Sequence, residues 1–261
     1  VVVALVVVAG GCGSGSSSSG AGSPTTDAAT APTAAPVTGG VTIAAAASLT
    51  APFTTIGNDF EAANPGATVT FTFDSSGTLS KQILEGAPAD GFASADEANM
   101  KKLTDAGLVA DSPEVFARNQ LAIVVKKGNP KGVTTLADLA TVGVVSLCGS
   151  EVPCGRYADE ILTKAGVTIP ETSVTRGQNV KATLAAVADG DADAGIVYLT
   201  DVTGDKVEAV AIPEAQNAVA TYPIAVLKAS TNPAAAEAFV AFVLGPQGQA
   251  VLEEAGFLPP T

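Results

Sequence analysis

Ser75, Ser76 and Gly77 stand between an alternating apolar run (Val69, Phe71, Phe73) and a segment that carries Leu79 and Ile83 on one helical face. A strand that turns through small residues into a helix can hold an anion. The first helical turn leaves N–H groups without intrahelical partners, and the macrodipole makes that end partly positive. Small hydroxyl residues let an oxyanion come close and add O–H donors. The ordinary role of Ser76 in such a turn is to cap its helix, so a ligand site needs further turns of the same kind. Ser48 supplies one, between the apolar run 41–47 and a helix with Pro52 in its first turn. Arg176, Gly177, Gln178, Asn179 and Val180 supply another, and Tyr198 ends an apolar strand just before Thr200 and Asp201.

The composition narrows the chemistry. The chain has 261 residues, 47% of them hydrophobic, and no histidine, which excludes a Ser-His-Asp triad, a Cys-His dyad and the usual His-containing zinc sites. Thirteen basic residues against 26 acidic ones give a formal charge of −13, which argues against nucleic acid and against a polybasic grip on anionic lipid. An enzyme on this chain needs a carboxylate as its general acid or base, and Asp74, Glu151 and Asp201 are placed to serve. The reading preferred for Asp74 and Asp201 is that each accepts local backbone bonds and orients its loop. The run 189–193 fails as a calcium loop, because Ala194 and Thr200 occupy its glycine and glutamate positions. Lys101, Lys102, Lys126 and Lys127 belong to solvated faces.

Strands and helices alternate along residues 41–261. Strands are expected at 41–47, 69–73, 90–94, 121–125, 142–147, around Val174, 194–198, 207–212 and 222–227. Helices are expected between them, with two closing helices at 233–244 and 248–255. This pattern implies an α/β chain with mainly parallel sheets, whose ligands sit at the carboxyl ends of strands. Ahead of it, residues 1–11 are uncharged, end in small residues and are too short to span a bilayer, like the apolar core of a secretion signal. With Cys12 they resemble the lipobox of bacterial lipoproteins, in which the cysteine is lipidated, although Ala9 stands where that motif usually has leucine. Residues 13–40, mostly Gly, Ser, Ala, Thr and Pro, read as a flexible tether. Cys148 and Cys154 then remain, spaced for a short-loop disulfide in an oxidising compartment or for two free buried thiols.

Four runs carry a family resemblance: 45–49 (AAASL), 75–79 (SSGTL) with 86–90 (GAPAD), 152–158 (VPCGRYA) and 195–198 (GIVY). In this order and spacing they resemble the molybdate-binding proteins of bacterial ABC transporters, over essentially all of residues 41–261. The resemblance implies a two-lobed periplasmic binding protein fold (type II), with residues 41–119 plus 223–261 in one lobe and 120–222 in the other. It also implies an oxyanion held between the lobes by Ser48 and Ser76, each through hydroxyl and N–H, by the N–H groups of Cys154 and Val180, and by the phenol of Tyr198. Relatives commonly carry a small residue such as alanine where Cys154 stands.

The implied protein is a monomeric, exported lipoprotein without catalytic activity, cofactor or free metal cation, anchored to the outer face of the cell membrane through Cys12. It captures molybdate or tungstate and delivers it to the membrane subunits of an ABC transporter. Uncharged donors suit that ligand, because a fully deprotonated tetrahedral dianion offers only acceptors, whereas a protonated oxyanion brings a hydrogen that finds none. The alternatives are a receptor for another tetrahedral oxyanion such as sulfate, an enzyme on the same fold, and a purely structural lipoprotein.

Overall fold

The computed structural model describes residues 36–261, so Cys12, the signal-like run and most of the expected tether lie outside the described residues. Nine strands form one continuous sheet: β1 (Thr38–Ala46), β2 (Gly66–Asp74), β3 (Gly91–Ala93), β4 (Glu114–Lys126), β5 (Val145–Cys148), β6 (Val174–Gly177), β7 (Ala194–Tyr198), β8 (Val207–Ala211) and β9 (Val219–Val226). Their order is β2-β1-β3-β9-β4-β7-β5-β6, with β8 also paired to β4. The first strand begins at Thr38, inside the stretch expected to be tether.

Each half of the sheet has a parallel core. In one half β1 pairs in parallel with β2 and β3, and in the other β5 pairs in parallel with β6 and β7. Every antiparallel pairing involves β4 or β9. Strand β4 changes partner along its length: Glu114–Gln120 lies against β9, and from Leu121 onward it lies against β7 and β8. The sheet is therefore more mixed than the alternation of elements alone suggests.

Parallel strands covered on both faces are apolar without interruption, as the buried run from Ala44 to Ala47 illustrates. Helices supply the cover: α1 (Thr50–Ala63), α2 (Ser76–Leu84), α3 (Glu97–Asp105), α4 (Pro153–Ala165), α5 (Val180–Asp189), α6 (Pro233–Leu244) and α7 (Pro246–Glu254). Helix α1 buries Phe53, Ile56 and Phe60, a spacing that puts all three on one face. The Phe53 ring meets Phe71 of β2, Phe116 of β4 and Phe239 of α6 at centroid distances of 5.9, 5.5 and 6.1 Å. This cluster fixes the start of α1, and with it the turn that holds Ser48.

Asp90, at the end of the run 86–90, is a tie between elements and does not line the site. Its carboxylate accepts from the N–H of Thr42 (2.7 Å), the hydroxyl of Ser230 (2.7 Å) and the N–H of Thr231 (2.9 Å). Burial works to raise its pKa, but these donors prevail and hold it below the ordinary carboxylate value.

Phe53→Ala empties the centre of the aromatic cluster, so a loss of about 3–5 kcal/mol in unfolding free energy is expected. Urea denaturation checks it, and a loss below about 1 kcal/mol contradicts the role given to this cluster.

Candidate functional site

Four strand-to-helix junctions and one strand end meet at a small cavity of about 10 Å³. Its walls are Ala46, Ala47 and Ser48 after β1, Ser75 and Ser76 after β2, Val152, Pro153 and Cys154 after β5, Asn179 and Val180 after β6, with Ala95 and Tyr198 completing them. The five residues named for an oxyanion from the sequence, Ser48, Ser76, Cys154, Val180 and Tyr198, all stand in this lining. None of the lining residues is charged. At about 10 Å³ the space is far below the roughly 300–1,000 Å³ of pockets for drug-sized molecules, and its scale suits a small ion.

The helix starts explain the donors. Ser76 and Val180 are the first residues of α2 and α5, and Cys154 is the second of α4 behind Pro153. Ser48 lies in a single 3-10 turn, Ala47–Leu49, that runs into α1. N–H groups at such positions have no intrahelical acceptor. Capping is done by neighbours: Ser75 Oγ accepts from the Thr78 N–H at 3.1 Å, and Asn179 Oδ1 from the Ala182 N–H at 3.0 Å. Ser75 therefore takes the capping role that the sequence assigns to Ser76. The Ser76 hydroxyl instead accepts from the Ala95 N–H at 2.9 Å, which leaves its hydrogen free to donate.

Tyr198 is 1% exposed, and its hydroxyl has no hydrogen-bond partner among the described residues. Burial raises its pKa well above the ordinary phenol value, so it stays a protonated donor. Ser48 Oγ lies 3.0 Å from the hydroxyl of Tyr222, a buried residue of β9.

None of the three carboxylates weighed as catalytic groups lines the cavity. Asp74 Oδ1 accepts from the Ser75 N–H at 2.7 Å and from Asn179 Nδ2 at 3.1 Å, so it orients its own turn and ties it to the start of α5. Glu151 is exposed. Asp201 departs from expectation. It is fully buried, and its carboxylate takes the Lys181 ammonium at 2.7 Å in place of local backbone donors. Burial raises its pKa, and Lys181 opposes that rise. Lys181 follows Val180 directly, yet a lysine in a helical first turn gives no sign in the sequence that it pairs with an acid twenty residues on.

A Cys148–Cys154 disulfide links the end of β5 to the first turn of α4 and fixes the segment that carries the Cys154 N–H. The two halves of the molecule also touch directly. The Arg156 guanidinium meets the Asp96 carboxylate, and a Cβ added to Gly77 comes within 2.9 Å of the Glu151 carbonyl oxygen. Glycine at 77 is thus required by close backbone approach, in a helix where it costs roughly 0.5–1 kcal/mol relative to alanine.

Residues 41–258 match the family of bacterial extracellular solute-binding proteins. Over 223 residues the chain is 42% identical to the molybdate-binding protein ModA of Mycobacterium tuberculosis, covering 84% of this chain and 85% of that one. It is 34% identical to the putative ABC transporter substrate-binding lipoprotein YvgL of Bacillus subtilis, covering 83% and 85%. The solved sulfate-binding protein SubI of Mycobacterium tuberculosis matches with a TM-score of 0.77 over 84% of this chain and 86% of that one. At 22% identity that likeness is one of fold, the two-lobed α/β architecture of periplasmic binding proteins.

Gly77→Ala should lower ligand-free thermal stability, because its Cβ must displace the Glu151 carbonyl, and should loosen the segment around Glu151. Hydrogen–deuterium exchange across residues 149–155 is expected to quicken, and an unchanged rate there contradicts the close approach.

Proposed function

The chain belongs to the bacterial extracellular solute-binding proteins, among the molybdate-binding proteins of ABC transporters, and from this premise we propose that it captures molybdate, and also tungstate, in the cavity lined by Ser48, Ser76, Cys154, Val180 and Tyr198. The captured oxyanion passes to the membrane subunits of an ABC transporter. The receptor is a monomer without catalytic activity, held at the outer face of the cell membrane by a lipid on Cys12. Residues 41–119 with 223–261 form one lobe and 120–222 the other. The change of partner along β4 between Gln120 and Leu121 supports that division.

The observation that carries the reading is the meeting of four helix starts and an unpartnered buried phenol on one uncharged cavity. Such a lining offers hydrogens and no formal charge. A dianion with four acceptor oxygens satisfies these donors, while hydrogen phosphate brings a proton that only a hydroxyl oxygen of the lining can take, and a hydroxyl turned to accept it no longer donates to the anion. Each donor to a charged oxygen contributes ~1.5–3 kcal/mol. Several together exceed an association cost of ~4 kcal/mol or more by enough for sub-micromolar affinity.

Sulfate is the second reading. It offers the same acceptors, and the fold likeness to a sulfate-binding protein favours it. Molybdate is preferred because the relative at 42% identity is a molybdate-binding protein.

Calorimetric titration with molybdate, tungstate, sulfate and phosphate tests the ligand. Sulfate binding as tight as molybdate binding overturns the first choice. Ser76→Ala is expected to weaken molybdate about 10- to 100-fold, with some loss of stability as the Ala95 N–H loses its acceptor. Tyr198→Phe should weaken molybdate without lowering the ligand-free melting temperature, because the hydroxyl it removes has no partner among the described residues. Unchanged affinity in both variants removes these residues from the ligand shell.

A further inference from the structure

Ser48 can donate its proton to a bound anion only if the hydrogen points into the cavity, and a hydroxyl rotates to suit its partners. What stands behind it therefore matters. The Tyr222 hydroxyl lies 3.0 Å from Ser48 Oγ, and its other partner, at 3.5 Å, is Asn119 Nδ2. An amide nitrogen has no lone pair to offer. Ser48 Oγ is thus the one acceptor among these partners for the Tyr222 proton, so Tyr222 donates to Ser48 and the Ser48 hydrogen is left for the cavity.

The orientation of Asn119 is fixed by the Gln120 N–H, which can only donate. Its Oδ1 accepts from the Gln120 N–H at 2.9 Å, and its Nδ2 donates to Thr200 Oγ1 at 2.8 Å. The Tyr222 ring is wedged edge-on against Phe257 and Phe116, with centroid distances of 5.4 and 6.2 Å, and it is fully buried. The relay from Asn119 through Tyr222 to Ser48 runs in one direction, and each bond polarises the next.

We infer that Tyr222, set by Asn119, is a specificity-determining residue that locks the Ser48 hydroxyl as a donor into the cavity, so that the site takes a fully deprotonated oxyanion and refuses one that carries a proton. The inference rests on the oxyanion-receptor reading given above. Tyr222 itself does not line the cavity and acts through Ser48 as a positioning residue. Without the Tyr222 hydroxyl, the Ser48 hydrogen can turn away from the cavity and Ser48 Oγ adds an acceptor for a protonated oxyanion.

Tyr222→Phe keeps the packed ring and removes only the hydroxyl, while Asn119 keeps its bond to Thr200. Molybdate affinity is measured by calorimetry in the unaltered protein, Tyr222→Phe, Ser48→Ala and the double variant, and phosphate is titrated as a competitor in the first two. Tyr222→Phe is expected to weaken molybdate about 3- to 10-fold, to change it less than about 2-fold once Ser48 is alanine, and to raise phosphate competition relative to molybdate. A Tyr222→Phe effect of equal size with and without Ser48, or an unchanged phosphate-to-molybdate ratio, overturns the inference while leaving the receptor reading intact. Failure of the unaltered protein to bind molybdate overturns the receptor reading itself, and this inference falls with it.

Discussion

The structure depends on one unmet requirement of the backbone. A helix start leaves its first N–H groups without partners, and here four such starts open at one cavity. Parallel strands make this possible. In a parallel pair the carboxyl ends share an edge, so the helices that follow β1 and β2 begin side by side, as do those that follow β5 and β6. The long antiparallel strands β4 and β9 carry the chain between the two parallel cores and keep their carboxyl edges facing the same space. The aromatic cluster around Phe53 and the Cys148–Cys154 bridge each fix one of these turns in place, while Asp90 ties β1 to the segment at Ser230 and Thr231.

This arrangement also explains how a chain of formal charge −13 can hold an anion. Repulsion from distant carboxylates is screened beyond ~8 Å at physiological salt, whereas the helix ends act at contact. Each contributes about half an elementary charge, so four approach the charge of a dianion with no lysine in the lining. A buried ammonium carries a desolvation cost of several kcal/mol and needs its own partner. Lys181, next to Val180 in the chain, is 40% exposed, is matched by the buried Asp201 and stays out of the lining. The result is a site with strong local dipoles and no buried unpaired cation.

Much of this was legible in the sequence because each strand-turn-helix unit announces itself locally. The strand at 194–198 and the helix at 233–244 have the bounds that apolar patterning gives them, and all five named donors stand in the cavity lining. What was not legible is long-range. The first half of β4, Glu114–Gln120, sets three apolar residues between charged and polar ones without a strand's alternation, and is made a strand by β9, a partner a hundred residues away. Capping by Ser75 and not Ser76 turns on one residue of phase, which no periodicity sets. The pairing of Lys181 with Asp201 and of Tyr222 with Ser48 joins residues with no common motif. Secondary structure and donor identity are local properties, whereas the orientation of a donor's proton belongs to the tertiary structure.

Tyr198 and Tyr222 show this difference side by side in one site. Their rings lie 5.8 Å apart, both are fully buried, and burial raises both phenols' pKa values so that each stays protonated. Folding alone treats them alike, yet Tyr222 has Ser48 and Asn119 as partners for its hydroxyl, and Tyr198 has none among the described residues. Leaving a buried hydroxyl unpaired costs about 1–3 kcal/mol, and phenylalanine at 198 fills the same space without that cost. A polar atom kept at such a cost inside a cavity of donors is explained by a partner that arrives with the ligand. The difference between the two tyrosines thus separates a group that holds the site's geometry from a group that waits for the anion.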